Sequence, residues 1–353
     1  MTTYVHLVGS VALDTSQEVF AAAGRLLGPY LKRVPDGEPG GRRLWISWQI
    51  PLLRANPLLT PAVPPAAGQR TSWLPLRLAD GVEPSQVHFG ELGYSREARA
   101  SYMDFLDAKR NGELPASARF QVSLPTPMAV INTFCTPGDA PKILPAYEQA
   151  MLKEVERICD AIPHKDLAIQ WDVCIEMVAW DGGRTDMPPV PNMDRVFGDA
   201  FARLGASVPH DVELGFHLCY GDLDGVHFIQ PRDTTRMVEL ANLIARRVAR
   251  PITWVHMPVP MDRTDDAFYS PLTGLQLSPE TELYLGLVHV QDGVEGTRLR
   301  MATASKYVQG FGIASECGIS RARDERIALE FMRVYAGAAA AGPAELTNVG
   351  GAA

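Results

Sequence analysis

Eight short runs of β-forming residues, separated by stretches with helical periodicity, constrain the fold of this 353-residue chain most strongly. The runs span residues 4–9, 87–90, 119–124, 167–171, 212–218, 252–255, 283–290 and 311–315. Amphipathic helices are predicted between several of them, for example at 146–161, 234–249 and 324–336. Alternation of strand and helix predicts an α/β protein with a parallel sheet, and eight such units predict closure into a single (β/α)8 TIM barrel. The alternative is an open doubly wound sheet, which is less favoured because no glycine-rich phosphate turn follows the first run.

Residues 31–86 interrupt this alternation. The segment is rich in proline, including Pro51, Pro57, Pro61, Pro64 and Pro65, and reads as a long loop excursion after the first strand–helix unit. Loops of this kind often cover the active face of a barrel, although a purely structural insertion fits equally well. We expect one barrel domain over residues 1–342 and a flexible tail at 343–353.

Charge and composition exclude several classes of protein. The net charge of −8, without any run rich in lysine or arginine, argues against binding to nucleic acid. No window approaches the roughly 20 apolar residues of a membrane span, and residues 1–10 do not resemble a signal peptide. Five irregularly spaced cysteines do not form a disulfide framework. We therefore expect a cytoplasmic protein with small-molecule partners, and a homo-oligomer is compatible with the sequence.

Polar residues and metal-capable residues recur where the predicted strands end. In barrel enzymes the site is built at the C-terminal ends of the strands, so these residues are predicted to share one face of the molecule. The set comprises Ser10, Asp172, Glu176, His217, Cys219, His256, Asp292 and Cys317.

His217 and Cys219 provide the clearest chemical signal in this set. Residues two apart on a strand project to the same face, and imidazole nitrogen and thiolate sulfur are preferred zinc ligands. Cys317, at the end of the last predicted strand, supplies a third ligand if the barrel closes. The alternative is a packed histidine beside buried cysteines. Core packing is also what we predict for the remaining cysteines, Cys135, Cys159 and Cys174.

The same runs carry a resemblance to a known family. Gly-Phe-His-Leu-Cys-Tyr at 215–220 and Glu-Cys-Gly at 316–318 resemble the zinc-binding motifs His-Met-Cys-Tyr and Asp-Cys-Gly of cobalamin-independent methionine synthases. Three further runs are similar to family motifs in the same order: Val-Gly-Ser at 8–10, Leu-Pro-Thr-Pro at 124–127 and Gln-Trp-Asp at 170–172. The resemblance covers nearly the whole chain but only one barrel, whereas the full-length synthases carry a second, N-terminal barrel. The motifs are specific for the superfamily, which includes uroporphyrinogen decarboxylases, and much less so for the reaction.

The resemblance implies roles for particular residues. It makes His217, Cys219 and Cys317 the zinc ligands, and it assigns the acidic head group of a thiol substrate to Gly9 and Ser10. Asp172 would hold an ammonium group if the thiol carries one.

His256 occupies the position where the family places a further ligand, a glutamate. Three interpretations remain open for His256: a fourth ligand, an acid or base beside a three-ligand zinc, or a packed histidine.

Residues 33–43, followed by Trp45, join turn residues to a dense set of charges. We predict that Arg33 or Arg43 contacts an anionic group of a substrate and that Trp45 covers a flat ring. A salt-bridged surface turn is the alternative. Glu176 and Asp292 are predicted to line the site, with Asp292 as an acid, a base or an anion binder. Thr133 and Phe134 stand where methionine synthases place an indole for the pterin, which argues against folate as the methyl donor.

The resulting prediction is a zinc-dependent transferase that binds a small-molecule thiol as a thiolate. A free thiol has a pKa of about 8.5 and is mostly protonated at neutral pH. Coordination to zinc removes that proton and leaves a nucleophile for alkyl transfer, with methyl transfer as the family default.

Alternatives remain open at this stage. Within the superfamily, epoxyalkane:coenzyme M transferase is similar in using a zinc site on a single-barrel chain, and it adds a thiol to an epoxide. The same site run backwards would be a carbon–sulfur lyase. Outside this chemistry stand a metal-free lyase of the uroporphyrinogen decarboxylase type and a non-catalytic sensor of thiols or metal.

Overall fold

Eight parallel strands form one continuous sheet in the structure, a computed structural model that describes residues 3–63, 74–183, 190–221, 226–320 and 323–341. The eight strands are β1 (Val5–His6), β2 (Arg33–Pro35), β5 (Arg119–Pro125), β6 (Leu167–Val173), β7 (Glu213–Leu218), β8 (Trp254–Pro258), β9 (Glu282–Gly286) and β10 (Gly312–Ala314). Two further strands, β3 (Leu59–Pro61) and β4 (Leu76–Leu78), pair with each other as a separate antiparallel ribbon.

The sheet curls into a barrel. Its strand order is β1-β10-β9-β8-β7-β6-β5-β2, and the residue that brings the two edges together is Val5. Val5 pairs with Ile313 of β10 on one side and forms a parallel bridge with Leu31, just before β2, on the other. The predicted TIM-barrel class is confirmed.

Helices surround this sheet. They are α1 (Ser16–Leu27), α2 (Ile50–Ala55), α3 (Tyr94–Arg110), α4 (Pro127–Phe134), α5 (Ala140–Ala161), α6 (Ile175–Trp180), α7 (Met193–Ala206), α8 (Thr235–Arg247), α9 (Asp266–Tyr269), α10 (Gly293–Ala304) and α11 (Glu325–Ala341). The three helices predicted from periodicity correspond to α5, α8 and α11. Among the described helices, none combines the length and the apolar character that crossing a membrane requires.

The barrel interior is tightly filled. Every residue of β6 is buried, as expected for a strand covered on both faces. The indole of Trp254 fills the space beside Gly215, where a Cβ atom would lie 1.9 Å from the ring. A side chain at residue 215 would therefore displace Trp254 from the core, and glycine is required there by packing.

The position of the second strand differs from the prediction. Residues 87–90 are not part of the sheet, and the strand that follows α1 is β2, inside the segment predicted as a loop excursion. Only three residues of β2 pair, and the strand ends at Pro35, so it lacks the length that makes a periodic pattern visible. Between β2 and α3 the chain forms the excursion itself, which includes the β3–β4 ribbon. The predicted tail at 343–353 lies outside the described residues.

Candidate metal centre

The candidate site lies at the C-terminal ends of β6, β7 and β8. Across these strands Asp172 pairs with His217, and His217 pairs with His256. Paired residues of neighbouring parallel strands project to the same face of the sheet, so the three side chains lie side by side.

Two sulfur atoms from distant parts of the sequence meet beside this row. The Sγ atoms of Cys219 and Cys317 are 3.7 Å apart, and the ligand atoms of His217, Cys219 and Cys317 all lie within 4.8 Å of one another. Two thiolates on one tetrahedral zinc are separated by about 3.8 Å, given Zn–S bonds of about 2.3 Å. The structure thus brings together the three residues predicted as ligands, with a sulfur separation that suits zinc.

Backbone contacts hold both cysteines in place. The N–H of Cys219, just after β7, donates to the carbonyl of Val173 at the end of β6 (3.0 Å). The N–H of Gly221 donates to the Cys219 sulfur at 3.3 Å, a contact that favours the thiolate. On the other side, the Ser315 hydroxyl donates to the carbonyl of Cys317 (2.6 Å).

His217 offers the nitrogen ligand. Its side chain is buried, and its Nδ1 lies 2.6 Å from Nδ1 of His256. The other ring nitrogen, Nε2, is buried and has no hydrogen-bond partner among the residues that the structure describes. Nε2 of His256 is also without a partner, but only His217 belongs to the group that converges with two thiols. Because a buried polar atom without a partner is costly, the open nitrogen of His217 fits a metal ligand. His256 itself is not a member of the group whose ligand atoms converge within 4.8 Å.

The imidazoles beneath the site are kept neutral. Burial lowers the pKa of His256 well below its usual range, and the neighbouring His217 and His6 act in the same direction. Burial, reinforced by the charge of Arg33, lowers the pKa of His6 to about 3. His6 Nε2 lies 2.8 Å from Oε1 of Gln170, which also accepts a hydrogen bond from Trp254.

Asp172 is fixed from two sides. The amide of Gln170 donates to Oδ1 of Asp172 at 2.9 Å, and the indole N–H of Trp45 donates to Oδ2 at 3.2 Å. Gln170 also donates to the carbonyl of Val8 at 2.6 Å, which ties this carboxylate to the end of β1. The result is a carboxylate with a defined orientation at the pocket wall.

A pocket of about 210 Å³ opens onto the three candidate ligands. It is lined by predicted substrate residues and by aromatic and aliphatic side chains: Val8, Gly9, Ser10, Glu38, Leu44, Trp45, Ile46, Ser47, Thr133, Phe134, Asp172, Cys174, His217, Cys219, Gly221, Phe228, Cys317 and Gly318. Apolar walls around a few polar groups are typical of small-molecule sites.

The excursion after β2 contributes strained backbone to this pocket. Glu38 and Trp45 have φ angles of 54° and 55°, in the left-handed region that favours glycine. Strain of this kind tends to be retained at ligand sites. Gly318 and Gly9 permit the close approach of neighbouring segments, since a Cβ atom on Gly318 would lie 2.2 Å from Oγ of Ser10.

Two arginines predicted as substrate contacts lie outside the pocket. Arg33 begins β2, at the opposite end of the barrel, where it is buried and paired with Glu213 and Glu282. Arg43 donates to the carbonyl of Leu13 (2.8 Å) and to Asp14 (3.0 Å) on the surface, as in the salt-bridged turn that was the alternative.

Glu176 and Asp292 also lie outside the residues that line the pocket. Burial raises the pKa of Glu176 to about 7, although a hydrogen bond with Thr126 lowers it. Asp292 receives two hydrogen bonds from the buried guanidinium of Arg300, at 2.5 and 2.8 Å. Asp292 therefore has a structural role, which is to accept hydrogen bonds from the buried Arg300 side chain.

The sequence prediction did not include His6, Glu38 or Phe228. His6 had a weak signal, because a histidine inside an otherwise apolar strand must find a polar partner in the core. Glu38 and Phe228 stand in irregular segments, where no periodicity indicates which side chains turn inward. The other three cysteines are buried, as predicted, and Cys174 additionally lines the pocket.

Comparison with known proteins yields a likeness of fold alone. No family model and no curated protein matches the sequence. The chain resembles a solved structure from Listeria monocytogenes, provisionally described as a vitamin-B12 independent methionine synthase, with a TM-score of 0.55 and 13% identity over 92% of this chain and 86% of that one. A B12-independent methionine synthase from Shewanella sp. W3-18-1, solved with selenomethionine, gives a TM-score of 0.48 and 14% identity over 77% of this chain and 70% of that one.

Proposed function

We propose that this protein is a zinc-dependent transferase that binds a small-molecule thiol and transfers an alkyl group, of the methyl type, to or from its sulfur. One observation carries the proposal: one imidazole and two thiols converge within 4.8 Å at the floor of an apolar pocket. The fold shared with the Listeria protein agrees with a methionine synthase-like transferase.

The donor set fits zinc and leaves room for a substrate. His217, Cys219 and Cys317 would hold the ion, and three protein ligands are typical of catalytic zinc with one open position. Zinc bound there would supply a Lewis acid that lowers the pKa of an incoming thiol. Two anionic cysteines balance the charge of the ion, so a bound thiolate would retain negative charge on its sulfur and remain nucleophilic.

The remaining pocket residues would bind and shield the substrate. Trp45, Phe134 and Phe228 form apolar walls that exclude water from the reacting sulfur. Asp172, held by Trp45 and Gln170, can accept a hydrogen bond from a substrate N–H without reorienting. Alkyl transfer needs this fixed geometry, because the thiolate must approach the alkyl carbon along one line.

Metal analysis of two cysteine variants tests the proposal. Wild-type protein is expected to bind stoichiometric zinc, and Cys219→Ala and Cys317→Ala to retain roughly a tenth or less. Cys159→Ala, which removes a buried thiol from α5, is the matched control and should keep its zinc. Circular dichroism should show the same fold in all four proteins.

Activity assays complete the test. Wild-type protein should consume a thiol in the presence of an activated alkyl donor, with methylfolates and epoxides tried in parallel, and both ligand variants should be inactive. Retention of zinc in both variants, or full activity without metal, would rule the proposal out and leave the metal-free lyase as the better interpretation.

A further inference from the structure

The contact between His217 and His256 determines which nitrogen of His217 can bind a metal. The two residues are register partners on β7 and β8, and both side chains are buried. Their Nδ1 atoms lie 2.6 Å apart. Two lone pairs cannot face each other at this distance, so one of the two nitrogens carries the hydrogen and donates it to the other.

This contact is not the geometry of two ligands on one ion. Two nitrogens bound to the same tetrahedral zinc are about 3.3 Å apart, given Zn–N bonds of about 2.0 Å. The observed 2.6 Å is shorter, and His256 does not belong to the converging group of ligand atoms. The two histidines are therefore hydrogen-bonded to each other, and His256 would contact the metal only indirectly, through His217.

The direction of this hydrogen bond matters for the metal. If His256 donates, neutral His217 carries its own hydrogen on Nε2 and has no lone pair there. If His217 donates from Nδ1, its Nε2 bears a lone pair. Among the described residues, Nε2 of either histidine has no hydrogen-bond partner, but only His217 belongs to the group that converges with the two cysteines. Because Nδ1 of His217 is engaged with His256, only the second arrangement leaves this candidate ligand a free lone pair, on Nε2.

We propose that His256 is a positioning residue that accepts the Nδ1 hydrogen of His217 and holds Nε2 of His217 in the form that binds zinc. The inference rests on the proposed zinc site. It also assigns the site three protein ligands, with the fourth position left to the thiol. Partners of this kind orient metal-bound histidines and commonly change metal affinity by about 10–100-fold when removed.

The packing around His256 supports this role. The ring of His6 lies 5.8 Å from it, measured between ring centroids, and His6 is in turn anchored to Gln170 at 2.8 Å. Gln170 is the same residue that orients Asp172. A single buried network therefore fixes both the candidate metal ligand and the carboxylate of the pocket.

Nuclear magnetic resonance of wild-type protein tests the inference directly. In protein loaded with cadmium-113 and labelled with nitrogen-15 in its histidines, we expect metal coupling to one imidazole, at Nε2 of His217, with a slowly exchanging hydrogen on its Nδ1. Coupling to His256 would overturn the inference while leaving the zinc site intact. A wild-type chain that binds neither metal would overturn the proposed function along with it.

Variants of His256 provide a second readout, by competition with a zinc chelator. His256→Leu removes the acceptor and is expected to weaken zinc binding by about 10–100-fold. His256→Gln retains an acceptor oxygen and should stay within about 3-fold of wild type. His289→Gln is the matched control, because His289 is a buried histidine that contacts the carbonyl of Val259 at 2.9 Å instead of a ligand. Equal zinc affinity in the folded Leu variant and wild type would contradict the inference.

Discussion

The two ends of the barrel bury polar groups in opposite ways. At the N-terminal ends of the strands, Arg33 is buried and pairs with Glu213 and Glu282, and its guanidinium lies 4.4 Å from the ring of Trp254. At the C-terminal ends, one nitrogen of His217 has no hydrogen-bond partner among the described residues, and His217 belongs to the group that converges with two thiols. At the N-terminal end, the buried charge is neutralised by other side chains of the protein. At the C-terminal end, nitrogen and sulfur atoms are placed where they could bind a ligand.

The pKa values of two glutamates follow the same division. Burial acts to raise the pKa of Glu282, but Arg33 and Lys32 outweigh it and lower that pKa to about 2. Burial dominates for Glu176, near the mouth, and raises its pKa to about 7. The difference teaches that burial alone does not identify a functional residue. The C-terminal end of the barrel is distinguished by buried polar atoms that have no hydrogen-bond partner among the described residues.

Removal of Arg33 is expected to have the largest effect on stability. Arg33→Met removes the buried guanidinium that Glu213 and Glu282 share, and each carboxylate then keeps one cation, Arg119 or Lys32. Breaking a buried pair costs up to about 3–5 kcal/mol. Urea unfolding would measure the loss, and zinc content should be unchanged because Arg33 does not line the pocket and is not among the candidate ligands. Arg43→Met, on a surface turn, should change stability by less than about 1 kcal/mol. Loss of zinc from folded Arg33→Met protein would show that the two ends are coupled.

Replacement of Glu176 should stabilise the protein, whereas replacement of Arg33 should destabilise it. The folded pKa of about 7 lies above the ordinary value of 4.5, so the folded state binds the proton more tightly. Stability associated with this proton is present below pH 4.5 and is lost as the pH rises through 7. Glu176→Gln should therefore match wild type near pH 4 and exceed it by up to about 3 kcal/mol above pH 7.

Glu282→Gln should change the stability of the protein in the opposite direction to Glu176→Gln. The folded pKa of Glu282 is depressed, so its contribution to stability is present above the unfolded value of 4.5 and is lost as the pH falls toward 2. This variant should be less stable than wild type at pH 7, and the gap should narrow in acid. Thermal unfolding across pH would show it. Parallel pH profiles for the two variants would refute the proposed contrast between the two ends.

Asp172→Asn should have the smallest effect of the four on stability. The carboxylate accepts from both Gln170 and Trp45, whereas an amide has one oxygen and must turn its NH₂ toward one of these donors. Leaving one donor unpaired costs about 1–3 kcal/mol, and thiol binding should weaken as the side chain loses its orientation. Calorimetric titration and urea unfolding measure the two effects. Asp14→Asn, at an exposed surface position, is the control and should stay within about 0.5 kcal/mol of wild type.

The sequence alone determined what depends on local pattern. Periodicity identified seven of the eight barrel strands and three helices, because residues two apart on a strand, or one turn apart on a helix, share a face regardless of the rest of the chain. The same reasoning placed His217 and Cys219 on one side of β7. It missed β2, whose three residues are too few to show a period.

Tertiary structure alone decided what depends on closure of the barrel and on strand register. Ring closure brings Cys317 to 3.7 Å from Cys219, across 98 residues of sequence. Register makes His217 and His256 neighbours, and it places Arg33 at the far end of the barrel although Arg33 precedes Trp45 by only 12 residues. These relations depend on how whole strands pair with one another, and the pattern within a single strand does not identify its partners or the residues opposite it.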